Sequence, residues 1–496
     1  MKSTVLTLLF TGVVVLILLS CEKGKPKPEQ LAKQYCSSCH AFPEPSLLDK
    51  KTWEKGVLPQ MAFRMGIDYG PLQSVNPDEV SEVIKVLPPQ AMVSEEQWNA
   101  IKDFYIQHAP DSLPRIASGE LPVTKQFSVS EFRLPQKTYP LITLVRYDSV
   151  NENIFIGTRL SKLYQLSANL IFQDSIELHS PPADLIFQPD KEILLACLGI
   201  MDPNDQPKGT LTSLKLNDGE QKVLIDSIKR PVHIQKADLN NDKQDDFVVA
   251  AFGNYTGALL VYEKSKDSYI RHVIHALPGT RKTIIKDFNG DGLNDVLALI
   301  TQGDEQIILF TNTGNFKFRV EVLLRFSPVY GSSYFDLVDF NKDGKPDILY
   351  TNGDNADYSP IFKSYHGVRI FLNDGRNKFD EHWFYPMHGA SQAVARDFDN
   401  DGDLDIAAIS FFPDFEKHPE QSFLYFENDN GKLIPSITPL ASAGRWLVME
   451  AADIDKDGDD DLLLGALDFT AQVPESLLTQ WRAHNTALLI LRNNQR

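Results

Sequence analysis

Five segments of one kind recur from residue 230 onward: ADLNNDKQDDFVVA, KDFNGDGLNDVLAL, VDFNKDGKPDILYT, RDFDNDGDLDIAAI and ADIDKDGDDDLLLG. Their first aspartates, Asp238, Asp287, Asp339, Asp397 and Asp453, fall about 50 to 60 residues apart, a period that marks an array of repeated supersecondary units. Counted from that aspartate, positions 3, 5 and 9 carry Asn240, Asp242 and Asp246; Asn289, Asp291 and Asp295; Asn341, Asp343 and Asp347; Asp399, Asp401 and Asp405; and Asp455, Asp457 and Asp461. Alternate oxygen-bearing side chains on a tight turn point inward together, and such a cage suits a hard cation such as Ca²⁺. The residue at position 7 (Gln244, Leu293, Lys345, Asp403, Asp459) is included in each candidate cation shell. Glycine at position 6 in four of the copies permits the bend. An EF-hand would need a bidentate glutamate at position 12; Val249, Ala298, Tyr350, Ala408 and Leu464 stand there instead. An apolar, β-branched run follows each loop, which reads as a strand and not a helix.

At 496 residues the chain is too long for one core and divides into at least two domains. A net charge of −18 argues against nucleic acid as a partner. Seventeen aspartates at positions 1, 3, 5 and 9 account for much of that charge, and five divalent cations would bring it to −8.

Each repeat reads as four strands, for example TIIKD, DVLALI, QIILFTN and FRVEVLL, with the acidic loop between the first two. Two units without the acidic motif precede the five, beginning at LITLVRYD and PADLIFQ, which makes seven. The last unit stops after ALLILRNN, its third strand, and KQFSVSEFRLP (125–135) matches the missing fourth. Pairing first with last would close a ring and remove its exposed edges. The expectation is a mainly β chain whose residues 125–496 form a seven-bladed propeller, with the metal-binding blades from about 230 onward. The acidic pattern resembles the FG-GAP/VCBS repeats of integrin-α-type β-propellers, and that resemblance implies calcium in the loop joining the first two strands of a blade. Cys197, within a strand, reads as a small apolar core residue.

Residues 1–21 have the form of an export signal: Lys2, then an apolar run from Val5 to Leu19 interrupted by Thr7, Thr11 and Gly12. Cys21 directly after Leu18-Leu19-Ser20 resembles a bacterial lipobox, which implies lipidation there and an extracytoplasmic membrane anchor. Residues 22–29 are a polar, proline-containing tether. Then comes Cys36-Ser-Ser-Cys39-His40. A structural zinc site needs four ligands, and no second Cys or His pair is at hand. A thioredoxin-like motif follows a strand, whereas Leu31 and Tyr35 have helical spacing. What remains is c-type haem attachment, with two thioethers to the porphyrin and the imidazole on the iron. Residues 30–112 resemble a small mono-haem cytochrome c, an all-α domain joined to the propeller by a linker at 113–124. Met61, after Val-Leu-Pro, is the first choice for a distal ligand, with Met65, Met92 and His108 as alternatives. Two helices are expected here, one from NPDEVSEVIKVL with Asn76 as N-cap and Val80, Val83, Ile84 and Leu87 on one face. The other comes from SEEQWNAIKDFYIQH, with a capping box of Ser94 and Gln97.

Blades five to seven carry long connections between second and third strands, at 352–367, 411–422 and 468–485. Long loops on a rigid scaffold are where binding concentrates. Asp354, Asp357, Tyr358, His366, His388, Arg445, Trp446 and Trp481 are the candidate ligand-face residues. The expected function is one-electron transfer by a membrane-anchored cytochrome whose calcium-stabilised propeller recognises a partner or substrate. The electrons would come from a redox protein or a small-molecule donor. Two other readings stand beside it: a propeller oxidoreductase passing substrate electrons to the haem, and an integrin-like adhesion protein.

Overall fold

The computed structural model describes residues 26–115, 119–135, 139–355 and 358–494; the signal segment, Cys21 and Asp357 lie outside them. Among the described residues, seven four-stranded antiparallel sheets follow one another as blades 1 to 7, at 142–177, 182–228, 231–275, 280–325, 332–386, 390–436 and 446–493. Blade 7 takes its outer strand from Phe127–Phe132, which pairs antiparallel with Leu488–Asn493. That pairing ties the first strand of the propeller to the last, so no blade is left with an open seam.

Burial along the strands explains the composition of each repeat. Second strands such as Asp295–Ile300 and Asp405–Ser410 are buried throughout, because neighbouring blades cover both faces. Outer strands such as Phe318–Arg325 are largely exposed and carry the charges. The core is therefore distributed between blades. Leu297, Leu309, Phe335, Ile348 and Tyr350 pack in one cluster between blades 4 and 5.

The position-9 aspartates staple loop to sheet. All five, Asp246, Asp295, Asp347, Asp405 and Asp461, are fully buried. In blade 4 one Asp295 oxygen accepts the N–H of Phe288, at position 2 of the loop (3.0 Å), and the other accepts the N–H of Asn312, at the end of the third strand (2.7 Å). Blades 3, 5 and 6 repeat the pattern through Leu239 and Lys264, Phe340 and Asn373, and Phe398 and Asn428. In blade 7 Asn493 N–H donates to Asp461 (2.8 Å), with Arg492 Nη1 on the second oxygen (2.6 Å). The asparagine amides then cross between blades: Asn312 Nδ2 reaches Leu239 O (2.7 Å), and Asn493 Nδ2 reaches Phe398 O (2.8 Å).

At the propeller axis, every first strand slips register once against its neighbour at the same place. The residues left out are Thr143, Ala183, Val232, Arg281, Ser333, Ser391 and Leu447. Just below them, Arg146 of blade 1 bonds Asp184 of blade 2 (2.8 Å) and Glu450 of blade 7 (3.0 Å), which places these charges around the axis.

The N-terminal unit is helical. Helix α1 (Pro28–Cys36) packs with α4 (Glu95–His108); between them run α2 (Leu58–Arg64), entered through a π-type turn at Trp53–Val57, and α3 (Val80–Lys85). The Ser94–Gln97 capping box is formed. Helix α3 begins three residues later than Asn76 would cap it. Asn76 Oδ1 accepts the N–H of Asp78 in a preceding turn, and Glu79 is drawn away to the propeller, where its Oε2 accepts the N–H of Asp205 (3.0 Å). Ile84 faces solvent instead of joining Val83 and Leu87 in the core. No helix among the described residues is long and apolar enough to cross a membrane.

Replacing Asp295 by alanine leaves the Phe288 and Asn312 amides buried without acceptors. Because bonds to a charged acceptor and buried orphans both carry more than the neutral average, the expected cost is about 3 kcal/mol. A lower urea midpoint measured in EDTA, with no cation present, checks it.

Candidate functional site

The helical unit stands on the propeller face formed by the second-to-third-strand loops, opposite the acidic loops. Its contacts run over blades 2 to 5. Beyond Glu79 and Asp205, Arg64 lies over the Tyr255 ring (4.7 Å), Tyr365 Oη donates to Leu47 O (3.1 Å), and Val329 and Ile361 enter the helical core cluster. Gly56 meets the backbone of Tyr358 so closely that a Cβ there would sit 2.3 Å from its carbonyl oxygen.

Cys36 closes α1 and is half-buried against the same cluster, which includes Trp53, Leu58, Met65, Trp98 and Tyr105, with Met61 packed on its edge. Burial pushes the Cys36 thiol pKa up. Cys39 is exposed one turn on, and both thiols are free. His40 Nδ1 lies 2.8 Å from Ala41 O. A carbonyl can only accept, so the proton belongs on Nδ1 and the lone pair on Nε2. Burial lowers the His40 pKa and keeps the ring neutral, while Asp304 and Arg325 of blade 4 act on it from below. A neutral, oriented imidazole beside two thiols at a helix end is a donor set that fits a covalently attached haem. Met61 and Met65 both pack with the Cys36 cluster, Met92 is turned outward, and His108 Nδ1 is bonded to Phe104 O in its own helix (2.8 Å).

The acidic loops are not five equal cages. In blade 4 the Asp287 carboxylate accepts backbone N–H groups from Gly290 (2.7 Å), Asp291 (3.2 Å) and Gly292 (2.9 Å), which lowers its pKa. Asp238 and Asp339 are bonded in the same way. Blades 6 and 7 differ. One oxygen from each of Asp397, Asp399 and Asp401 lies within 4.8 Å of the others, as do oxygens of Asp453, Asp455 and Asp457. Asp397, Asp403, Asp453 and Asp459 each keep a buried carboxylate oxygen with no hydrogen-bond partner. Burial, followed by Asp457, pushes Asp459 up to about 7. Buried like charges with unused acceptors are the fit that a divalent cation requires. At position 7 only Asp403 and Asp459 offer such oxygens. Leu293 has no ligating side-chain atom, and Gln244 Nε2 and Lys345 Nζ turn donors toward Asp242 (3.3 Å) and Asp343 (3.1 Å).

Several candidate ligand-face residues are instead structural. Trp446 is fully buried in the core between blades 6 and 7, with its indole N–H on Ala441 O (2.7 Å). Trp481, on helix α5 (Glu475–His484), donates to Ser442 O (2.7 Å). Arg445 is buried among the Phe411, Phe412, Phe415 and Phe469 rings, donates to Phe469 O and Ala471 O, and burial lowers its pKa to about 9. His366 and His388 each hold a buried ring nitrogen without a partner, and burial lowers both pKa values. Tyr358 is exposed against Gly56 of the helical unit, and Asp354, also exposed, lies beside Gly331. A groove of about 490 Å³, bordered by Phe415, Glu416, Ser442, Ser476 and Gln480, opens between the long loops of blades 6 and 7. Glu305, in the short loop of blade 4, had no signal in its own sequence context. It is buried, accepts Gly331 N–H (3.1 Å) and Ser332 N–H (2.7 Å), and burial raises its pKa to about 7.

Residues 287–350 match the model of the FG-GAP-like repeat, which takes in the second and third acidic loops. A propeller with such repeats points to a binding or recognition role. None of the curated proteins matches the chain. Similar solved structures include the β-propeller domain of Myceliophteria thermophila Cps50 (Swd1), at 13% identity over 67% of this chain and 95% of that one with a TM-score of 0.42. Another is the Neurospora crassa Pan2 WD40 domain, at 10% identity over 76% and 98% with a TM-score of 0.47.

Calorimetric titration of EDTA-stripped protein with Ca²⁺ should resolve two tight equivalents, with Asp459→Asn removing one and Asp242→Asn leaving both. Glu305 adds a pH signature. Its folded pKa lies above its unfolded value of 4.5, so the folded state holds the extra proton and stability falls as pH rises from 4.5 through about 7. Glu305→Gln should flatten that part of the profile, as read from urea midpoints at pH 5 and pH 8.

Proposed function

We propose that this chain is a lipid-anchored, extracytoplasmic c-type cytochrome that transfers single electrons, with a calcium-stabilised propeller as its recognition platform. The observation that carries this reading is the Cys36–Cys39–His40 donor set at the end of α1, with His40 Nε2 free to bind a metal. When bound, the haem would supply one-electron exchange at its iron. Cys36 and Cys39 would hold it by thioethers, His40 would be the proximal ligand, and Met61 or Met65 would be the distal one. Ala41 O orients the imidazole, and the aromatic cluster of Trp53, Trp98 and Tyr105 packs against Cys36. Lys2, the apolar run and Cys21 support export and lipid anchoring. The aspartates of blades 6 and 7 would hold Ca²⁺, with a structural role. The electron source would be a redox protein or a small molecule meeting the loop face.

The groove between the blade 6 and blade 7 loops supports a second reading, in which a small substrate bound on the same face feeds electrons to the haem. Its size falls in the range of small-molecule sites.

Absorption spectra of residues 22–496 produced with a haem-maturation system test the central claim. The expected result is covalent haem with a methionine-ligation charge-transfer band that disappears in Met61→Ala. Retention of that band in Met61→Ala and its loss in Met65→Ala would move the distal ligand by one helical turn. Absence of covalent haem would overturn the cytochrome reading and leave a recognition propeller.

A further inference from the structure

The seven register slips put one residue of each first strand at the same level of the propeller axis, on the loop side. Six of the seven are uncharged: Thr143, Ala183, Val232, Ser333, Ser391 and Leu447. The seventh is Arg281, and among these residues it alone is exposed. Its electrostatic neighbours place it at the axis: Tyr334 and Asp354 belong to the adjacent blade 5, and Asp184 to blade 2 on the other side. Neither a hydrogen bond nor an ion pair holds its guanidinium among the described residues. The deeper arginine of the same axis is paired twice, since Arg146 bonds both Asp184 and Glu450.

Beside Arg281 stands Tyr334. Its hydroxyl accepts from Lys282 Nζ (2.6 Å), which leaves its own proton to donate, and Lys282 is within 3.5 Å of Asp336. A guanidinium presents a planar fork of N–H donors, and at this mouth the fork is not used by the fold.

We propose that the mouth of the central channel binds a small carboxylate, with Arg281 as the charged donor and the Tyr334 hydroxyl as a second. A singly charged planar anion suits the site better than a phosphate dianion, because Asp184, Asp336, Asp354 and Glu450 surround the axis with negative charge. The helical unit covers the neighbouring loops of blades 2 to 5, so the bound carboxylate would lie beside it. The site does not depend on whether haem is attached.

Calorimetry on the full chain in detergent, with glycolate as the probe and glycolamide as its neutral counterpart, tests this. Glycolate should bind and glycolamide should not. Arg281→Gln should weaken glycolate at least tenfold, while Arg281→Lys, which keeps the charge, retains part of the affinity. Arg376→Gln, which removes an exposed charge on the opposite face, should leave it unchanged, and circular dichroism of the Arg281 variants establishes that they fold. Equal binding of glycolate and glycolamide, unchanged affinity in Arg281→Gln, or no glycolate binding at 20 mM would each overturn the proposal.

Discussion

A buried carboxylate at the start of the second strand organises each acidic repeat. Asp295 and its counterparts in blades 3, 5 and 6 bond backbone amides of the loop before them and of the third strand beyond them, so a single side chain fixes loop conformation and sheet register together. Asp461 in blade 7 takes the third-strand amide of Asn493 and the Arg492 guanidinium. A carboxylate suits the position because it accepts at two oxygens and its bonds to N–H are charge-assisted. The asparagines at the ends of third strands carry the constraint across to the preceding blade, as Asn312 does to Leu239 and Asn493 to Phe398. Blade and ring are thereby held by the same few polar groups inside an apolar stack.

The cost of this device is crowded negative charge on one face. Blades 3 to 5 reduce it by placing asparagine at position 3 and by spending backbone N–H groups on the first aspartate. Blades 6 and 7 carry aspartate at every odd position and retain carboxylate oxygens that nothing in the fold bonds. Those loops flank the closing seam. Phe398 O in the blade 6 loop receives both Gln126 and Asn493, and Asp461 in blade 7 receives Arg492. Loop electrostatics and ring closure are thus properties of the same few residues.

The opposite face is where the two parts of the chain meet. The helical unit is seated by a buried Glu79–Asp205 contact, by Tyr365 on Leu47, and by a glycine whose lack of Cβ lets two backbones approach. Recognition by the propeller and chemistry at His40 would therefore share one surface, with the long loops of blades 6 and 7 and the channel mouth beside it. A rigid ring presenting variable loops is a general arrangement for binding sites.

Repetition made the propeller legible from residues alone. The Asp-rich loops, the apolar second strands and the spacing between copies all arise from local periodicity, so seven blades could be counted before any contact was known. The Ser94–Gln97 cap is local in the same sense. What periodicity does not carry is which side chains meet across sequence. Arg445 and Trp446, in the connection leading into the first strand of blade 7, read as ligand-face residues, yet neighbouring blades bury the indole and four phenylalanines enclose the guanidinium. Glu79 reads as a helix-start residue, and a propeller amide more than a hundred positions away takes it instead. Arg281 has no motif around it; seven register slips, each set by strand pairing within its own blade, bring it to the axis. The repeat and its fold were written in the order of the residues. The division of labour among five similar loops, the buried fate of the aromatic face and the open cation at the channel were decided by tertiary structure, because each depends on burial and on distances between groups that sequence order does not encode.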